Sequence, residues 1–340
     1  MKRETWVDIL RGGGAILLVV IGHSGCPELL YNLIYSFHMP LFFIISGYLY
    51  NSDKWNKELG FQKIILNRCK SYIKPYFVLC GVNMLFCVLK ELISDGFNVS
   101  ILQSIRTWIF GILYAYPSVD YMPNCTPLWF LVALFLANVL FYFIQNINSK
   151  QIQILTMLLV ALINSLLYVF CSFQFPWCFG AVLIGVCCMY FGQVLRNSSW
   201  LDKRGSFKWF TVIIIIAIGL LSSYYNERVG IGANNLGNNP VLFWVSALSL
   251  SFSIISVAAT IKCECRILSW VGKNTIIFMG FNYFFNDLPQ AVWKRLPYIG
   301  DFQYTWYIKS IICVLCISCT IAIWDLIKKK NPRLSMAVGF

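Results

Sequence analysis

The sequence predicts an all-α fold: a polytopic membrane bundle of about ten transmembrane helices, with both termini in the cytoplasm. Three observations predict it. First, 59% of the 340 residues are hydrophobic and only 12% are charged, whereas soluble domains carry about 25% charged residues. A water-soluble protein this apolar would expose large greasy patches and aggregate. Second, apolar runs of helix-spanning length recur along the whole chain. Third, the basic residues fall on alternate loops.

Crossing a hydrocarbon core as a helix takes about 20 mostly apolar residues. Runs of that kind lie at 7–25, 34–50, 73–94, 128–145, 152–172, 175–195, 209–225, 240–261, 271–287 and 305–327. Between 152–172 and 175–195 only Phe175-Pro176-Trp177 is left to turn the chain. Segment 106–116 is apolar but too short to span, and reads as a re-entrant or interfacial piece. No polar block is long enough for a separate soluble domain, so residues 1–335 form a single integral-membrane domain.

The formal charge of +13 invites a nucleic-acid reading, but its distribution argues against one. With the N-terminus inside, the cytoplasmic segments hold Lys2, Arg3, Lys54, Lys57, Lys63, Arg68, Lys70, Lys74, Lys150, Arg196, Lys203, Arg204, Lys208, Lys262, Arg266, Lys273, Lys328, Lys329, Lys330 and Arg333. The opposite side holds Lys90, Arg106, Arg228, Lys294, Arg295 and Lys309. This is the positive-inside asymmetry, and it fixes both termini in the cytoplasm with an even number of spans. The expected location is the cell (inner or plasma) membrane, as a multi-pass protein in contact with lipid and without nucleic acid as partner.

The first span imitates a secretory signal, with Lys2-Arg3 ahead of an apolar run. Arg11 and His23 within it, and no small-residue cleavage site after it, mark it as a retained helix. Most of the 14 cysteines lie in spans, where a thiol behaves as a small hydrophobe. Cys263-Glu264-Cys265 has no histidine nearby and no zinc spacing, so no metal is expected. Cys26, Cys125, Cys171 and Cys178 fall toward the outer side, which leaves a disulfide among them open.

Polar groups at membrane depth carry the functional information, because burying them costs several kcal/mol unless they are paired or used. The chain has 2 histidines, His23 and His38, in the first two spans. Arg11 and His23 stand about 18 Å apart along a helix, which puts Arg11 near the cytoplasmic face and His23 toward the outer one. A guanidinium suits a phosphate and a neutral imidazole suits proton abstraction from a hydroxyl. The plain alternative is that Arg11 snorkels to headgroups and His23 bonds helix to helix.

Asp8-Ile9-Leu10-Arg11-Gly12, then Val19-Val20-Ile21-Gly22-His23, then Phe37-His38-Met39-Pro40-Leu41-Phe42-Phe43-Ile44-Ile45-Ser46-Gly47-Tyr48 resembles the opening of the acyltransferase-3 family of integral-membrane acyltransferases. Many members of that family O-acetylate bacterial surface polysaccharides, and the resemblance is closest to the branch described as fucose 4-O-acetylase-like. It continues through Arg68-Cys69-Lys70, Pro75-Tyr76, Pro127-Leu128-Trp129-Phe130-Leu131 and Gly272-Lys273-Asn274-Thr275-Ile276-Ile277.

The resemblance implies acetyl-CoA, or another acyl-CoA, as a cytoplasmic donor substrate, with no permanently bound cofactor. The implied acceptor is a hydroxyl of an extracytoplasmic glycan or lipid-linked sugar. By the same resemblance His23 is the essential histidine, His38 in the Phe-His-Met-Pro element is a second catalytic residue, and Arg11, Arg68 and Lys70 are donor-phosphate contacts. Trp129 is a possible acceptor contact.

Two departures from the family pattern stand out. The family usually places ten residues between the basic residue and the histidine; this chain has eleven. In a regular helix eleven steps bring two residues within about 20° of one face, whereas twelve rotate them about 120° apart. A one-residue π-bulge in Gly12-Gly13-Gly14, where helix propensity is weak, would restore the phase. The family also often carries a histidine about ten residues after its Gly-Lys-Asn motif. Asn282 stands near that place here, able to donate to an oxyanion but unable to act as a base.

His23 then either removes the acceptor proton or takes the acyl group itself. A carrier or flippase for a lipid-linked sugar shares the span count and the basic face. Such carriers tend to show internal repeats and buried carboxylates, and here the acids sit mostly near span ends. Tyr114, Tyr116, Tyr121, Trp293 and Tyr298 could stack on sugar rings outside or simply mark the membrane interface.

Overall fold

A computed structural model describes residues 5–95, 99–260, 265–293 and 305–330. Lys2, Arg3, Lys262, Cys263, Glu264, Lys294, Arg295, Tyr298 and Arg333 lie outside the described residues, as does the side chain of Trp293. The described regular elements are helices, with a single isolated bridge between Gly230 and Asn235.

Among the described residues 9 helices are long and apolar enough to cross a membrane. They are Thr5–His23, Glu28–Tyr48, Asp53–Ile93, Thr126–Gln145, Lys150–Phe170, Pro176–Asn197, Ser206–Asn226, Pro240–Thr260 and Trp306–Lys330. The remaining expected span, 271–287, is occupied by a helix over Thr275–Trp293. It is long enough but less apolar, because Asn282, Asn286 and Asp287 lie along it. Counted in chain order with that helix included, these are called the first to tenth spans below. The segment expected to be re-entrant is a 16-residue helix, Val99–Tyr114, which packs against the third span and is pinned there by the Tyr76 hydroxyl donating to Ile112 O.

The fifth and sixth spans are separate helices, as the Phe175-Pro176-Trp177 break suggested. Trp177 and Cys178 turn the chain in the left-handed region, at φ 55° and 51°. Cys26, Cys125, Cys171 and Cys178 all carry free thiols.

The second, fourth and sixth spans form the centre, with Phe43, Ala133, Phe141, Ala181 and Ile184 fully buried. The second and sixth come together backbone to backbone: a Cβ on Gly47 would collide with Met189 O, and one on Gly192 with Ile44 O. Without water to drive association, close contact of this kind is what holds membrane helices together. The fifth, seventh and tenth spans lie at the edge and expose Leu158, Leu162, Ile213, Leu221, Ile311 and Leu315. Those apolar faces have bilayer lipid as their natural solvent.

The first span is not a regular helix. Residues Leu10–Ile16 form a π-helical turn, flanked by α-helix over Thr5–Ile9 and Leu17–His23. The expected bulge is therefore present, and it encloses the three glycines. Its cause is also a packing one, since the short helix Arg266–Lys273 lies directly against it. A Cβ on Gly12 would strike Leu268 O, and one on Gly272 would strike Asp8 O. The glycines of the opening motif and of the Gly-Lys-Asn motif thus meet each other.

Candidate active site

Two sets of cavities lie along the inner face of the first span. The outer set surrounds His23, at the end of its helix. One cavity of about 210 Å³ is lined by His23, Tyr35, His38, Met39, Trp129, Met279, Tyr283 and the turn Gly230–Ala233. A second of about 520 Å³ opens beside it and shares His23, Tyr31, Tyr35 and Tyr283. Both are in or near the size range of small-molecule sites.

Aromatic side chains hold His23. The Tyr35 hydroxyl lies 2.9 Å from His23 Nδ1. The Tyr283 ring covers the imidazole at 4.7 Å between centroids. Tyr31 stacks on Tyr35 at 3.8 Å, and the Arg228 guanidinium lies 4.9 Å above the Tyr31 ring. Gly22 makes this approach possible, because a Cβ there would press into the Tyr35 ring at 2.8 Å.

His38 is buried in the same wall, and its Nδ1 lies 2.7 Å from Ile34 O. A carbonyl only accepts, so that nitrogen carries the proton and Nε2 keeps its lone pair. Pro40, two residues on, has no backbone N–H, which leaves the Ser36 carbonyl without its helical donor. Trp129, the first residue of the helix that follows the short turn Thr126–Leu128, closes the chamber against Gly232. A Cβ on Gly232 would come within 2.7 Å of its indole. The outer loops are tied together by Gln174 Nε2 donating to Gly232 O and Tyr114 hydroxyl donating to Gln174 O. Tyr114, Tyr116 and Tyr121 pack on one another rather than into the chamber.

The second set begins at Arg11, toward the other end of the span. A cavity of about 300 Å³ is lined by Arg11, Ser46, Lys54, Trp55, Arg68 and Tyr72, among others. A neighbouring one of about 430 Å³ adds Lys273, Asn274 and Lys328 and shares Arg11, Ser46 and Tyr72. The Arg68 guanidinium lies 5.2 Å from the Trp55 ring and 5.9 Å from the Tyr72 ring. Its Nε is buried with no hydrogen-bond partner, so this wall holds an unanswered donor. The strand of chain that carries Lys54 and Trp55 is fixed from behind by Tyr50 donating to Asn56 Oδ1 and by Arg196 donating to Tyr50 O.

The structure therefore brings Arg11 and Arg68 together on one side, and His23, His38 and Trp129 on the other. Lys70 is exposed on the Cys69–Ile73 turn and lines neither of the two cavities at Arg11; Lys54 stands there instead. Asn282 is fully buried, its amide turned toward Val19 O at 3.5 Å and its Oδ1 accepting from Asn286 at 2.9 Å. Asn286 Oδ1 in turn accepts from Ser24, so this chain of amides ties the ninth span to the end of the first. Among the described residues no three His, Cys, Asp or Glu side chains cluster to hold a metal ion.

Sequence reasoning missed Tyr31, Tyr35 and Tyr283, together with Trp55, Tyr72, Lys54 and Lys273. For Tyr31, Tyr35 and His38 a signal exists. Their spacing of four and three residues puts them on one helix face.

The multi-pass helical bundle thus holds an imidazole chamber toward one end of the first span and a basic, aromatic chamber toward the other. Residues 4–324 match the acyltransferase-3 family, described as an acyltransferase domain. The chain belongs to that family and is a membrane acyltransferase. No curated protein and no solved structure matches it.

Proposed function

We propose that the protein moves an acetyl group from cytoplasmic acetyl-CoA to a hydroxyl of an extracytoplasmic or lipid-linked glycan, as a surface-glycan O-acetyltransferase of the cell membrane. The observation that carries this reading is the order of chambers along the first span: phosphate-type ligands at Arg11 and Arg68, then a base at His23. The π turn supports it, because it keeps Arg11 on the inner face despite the extra residue.

Donor binding uses the orphaned Arg68 Nε and the Arg11 guanidinium for phosphate oxygens, with Lys273 and Lys328 adding charge. Trp55 and Tyr72 offer faces on which an adenine ring stacks. Lys70 contributes field rather than contact. In the outer chamber the Tyr35 oxygen accepts from His23 Nδ1–H, which leaves Nε2 as the reacting nitrogen. Nε2 removes the proton of the acceptor hydroxyl, whose oxygen forms the new ester bond. The thioester C–S bond breaks, and coenzyme A leaves as thiolate and takes up a proton. The family's acyl-histidine alternative uses the same nitrogen, which attacks the thioester first and passes the acyl group on. His38 Nε2 and Trp129 border the acceptor. Asn282 acts through the backbone of Val19, holding the helix end that bears His23. The motif likeness to the fucose 4-O-acetylase-like branch supports a sugar acceptor.

The test is transfer of labelled acetyl from acetyl-CoA by purified protein in proteoliposomes, with membranes of the producing cell as acceptor source. His23→Ala is expected to lower transfer by at least about 10²-fold, the contribution of a positioned base, while inserting normally. Wild-type transfer by that variant would overturn the reading. Movement of a lipid-linked sugar across the membrane without acyl transfer would favour a carrier or flippase instead.

A further inference from the structure

The base and the donor site occupy different cavities, and one side chain borders both. On the second span Met39 faces the outer cavity and Phe42 the one at Arg11; on the fourth, Trp129 and Phe130 divide in the same way. On the ninth span Met279 borders both, alone among the described residues. It is 2% exposed, so it fills the partition rather than lining an open channel.

We propose that Met279 is the residue that sets the length of the acyl group and admits the thioester to His23. This rests on the reading above, in which donor phosphates stay on the cytoplasmic side. The reacting carbonyl has to come within about 3–3.5 Å of the oxygen or nitrogen that attacks it. The arm of acyl-CoA must therefore cross the layer that Met279 occupies.

Methionine suits that position. It is unbranched, with three rotatable bonds, and adapts to irregular gaps. Its rigid neighbours Phe42 and Phe130 contact each other at 5.5 Å and cannot swing without disturbing the core. Beyond the partition the outer cavity holds about 210 Å³. An acetyl group of three heavy atoms crosses the layer that Met279 fills with less displacement of that side chain than a longer acyl chain requires.

The experiment compares labelled acetyl-, butyryl- and hexanoyl-CoA as donors, again with producing-cell membranes as acceptor source. Met279→Ala is expected to raise the hexanoyl-to-acetyl ratio at least about tenfold and to speed acyl-CoA hydrolysis without acceptor. Met279→Trp is expected to reduce acetyl transfer about 100-fold while coenzyme A binds within about threefold of wild type. Membrane insertion and melting temperature are measured for both variants, so that a change in transfer is read only from protein that folds as wild type does. An unchanged chain-length ratio in Met279→Ala, or wild-type acetyl transfer by Met279→Trp, overturns the proposal. His23→Ala run alongside separates the two ideas. Transfer that survives there overturns the functional reading itself, whereas its loss there with an unaltered ratio in Met279→Ala overturns only the role of Met279.

Discussion

Tyr35 occupies the place beside His23 that a carboxylate takes in many catalytic histidine arrangements. A phenol orients the ring without placing a charge at membrane depth, where an ionised group is expensive. It also leaves the imidazole neutral, the form a general base needs. Removing the hydroxyl while keeping the ring isolates that role. Tyr35→Phe is expected to lower kcat about 10- to 100-fold, part of the ~10²–10⁴-fold that a positioned base contributes. KM for acetyl-CoA and the melting temperature should hold. A shift in melting temperature with unchanged kcat would mean that Tyr35 only packs. His23 and His38 were legible as the two histidines of the chain, but Tyr283 was not. It lies some 260 positions away in sequence and reaches the imidazole only because the ninth span packs on the first.

The first span shows how an element absorbs one residue. Twelve regular steps would rotate Arg11 about 120° from His23, and the π turn over Leu10–Ile16 removes that offset. Deletion and insertion should therefore differ. Deleting Gly13 is expected to leave a regular helix with the two residues in phase, retaining at least about a tenth of wild-type transfer. Inserting one alanine after Gly13 turns Arg11 by a further ~100° and should raise KM for acetyl-CoA at least about tenfold. Equal losses in the two variants would remove phase as the explanation. The bulge was legible because three consecutive glycines coincide with a spacing mismatch. That Gly12 also admits the backbone of the Arg266–Lys273 helix was not, since the contact joins residues distant in sequence.

At the scale of the whole molecule, the chambers lie toward opposite ends of the first span. Sidedness is the property to measure. In sealed vesicles, acetyl-CoA supplied to the face that bears Arg68 and Lys54 should acetylate acceptor on the opposite face. Supplied only to the opposite face, it should give less than about a hundredth of that rate. Equal rates from both sides would be incompatible with the layout. The expected direction comes from charge, because Lys54, Lys63, Arg68, Lys203 and Arg204 fall in alternate loops and the positive-inside rule assigns such loops to the cytoplasm.

By itself the sequence determined the solvent, the helical class and the polar residues at depth. Each of these follows from composition or from run length along one dimension. It also carried the mismatch that called for a π turn. Tertiary structure alone decided which side chains meet. It placed Lys54 rather than Lys70 at the basic cavity and turned Asn282 into a tie between helices. It also gave His23 a tyrosine partner and left Met279 as the partition between two chambers. The physical reason is that a helix face acquires its neighbours only when other spans pack against it. Those contacts depend on glycine positions and crossing geometry, which no single run of sequence contains.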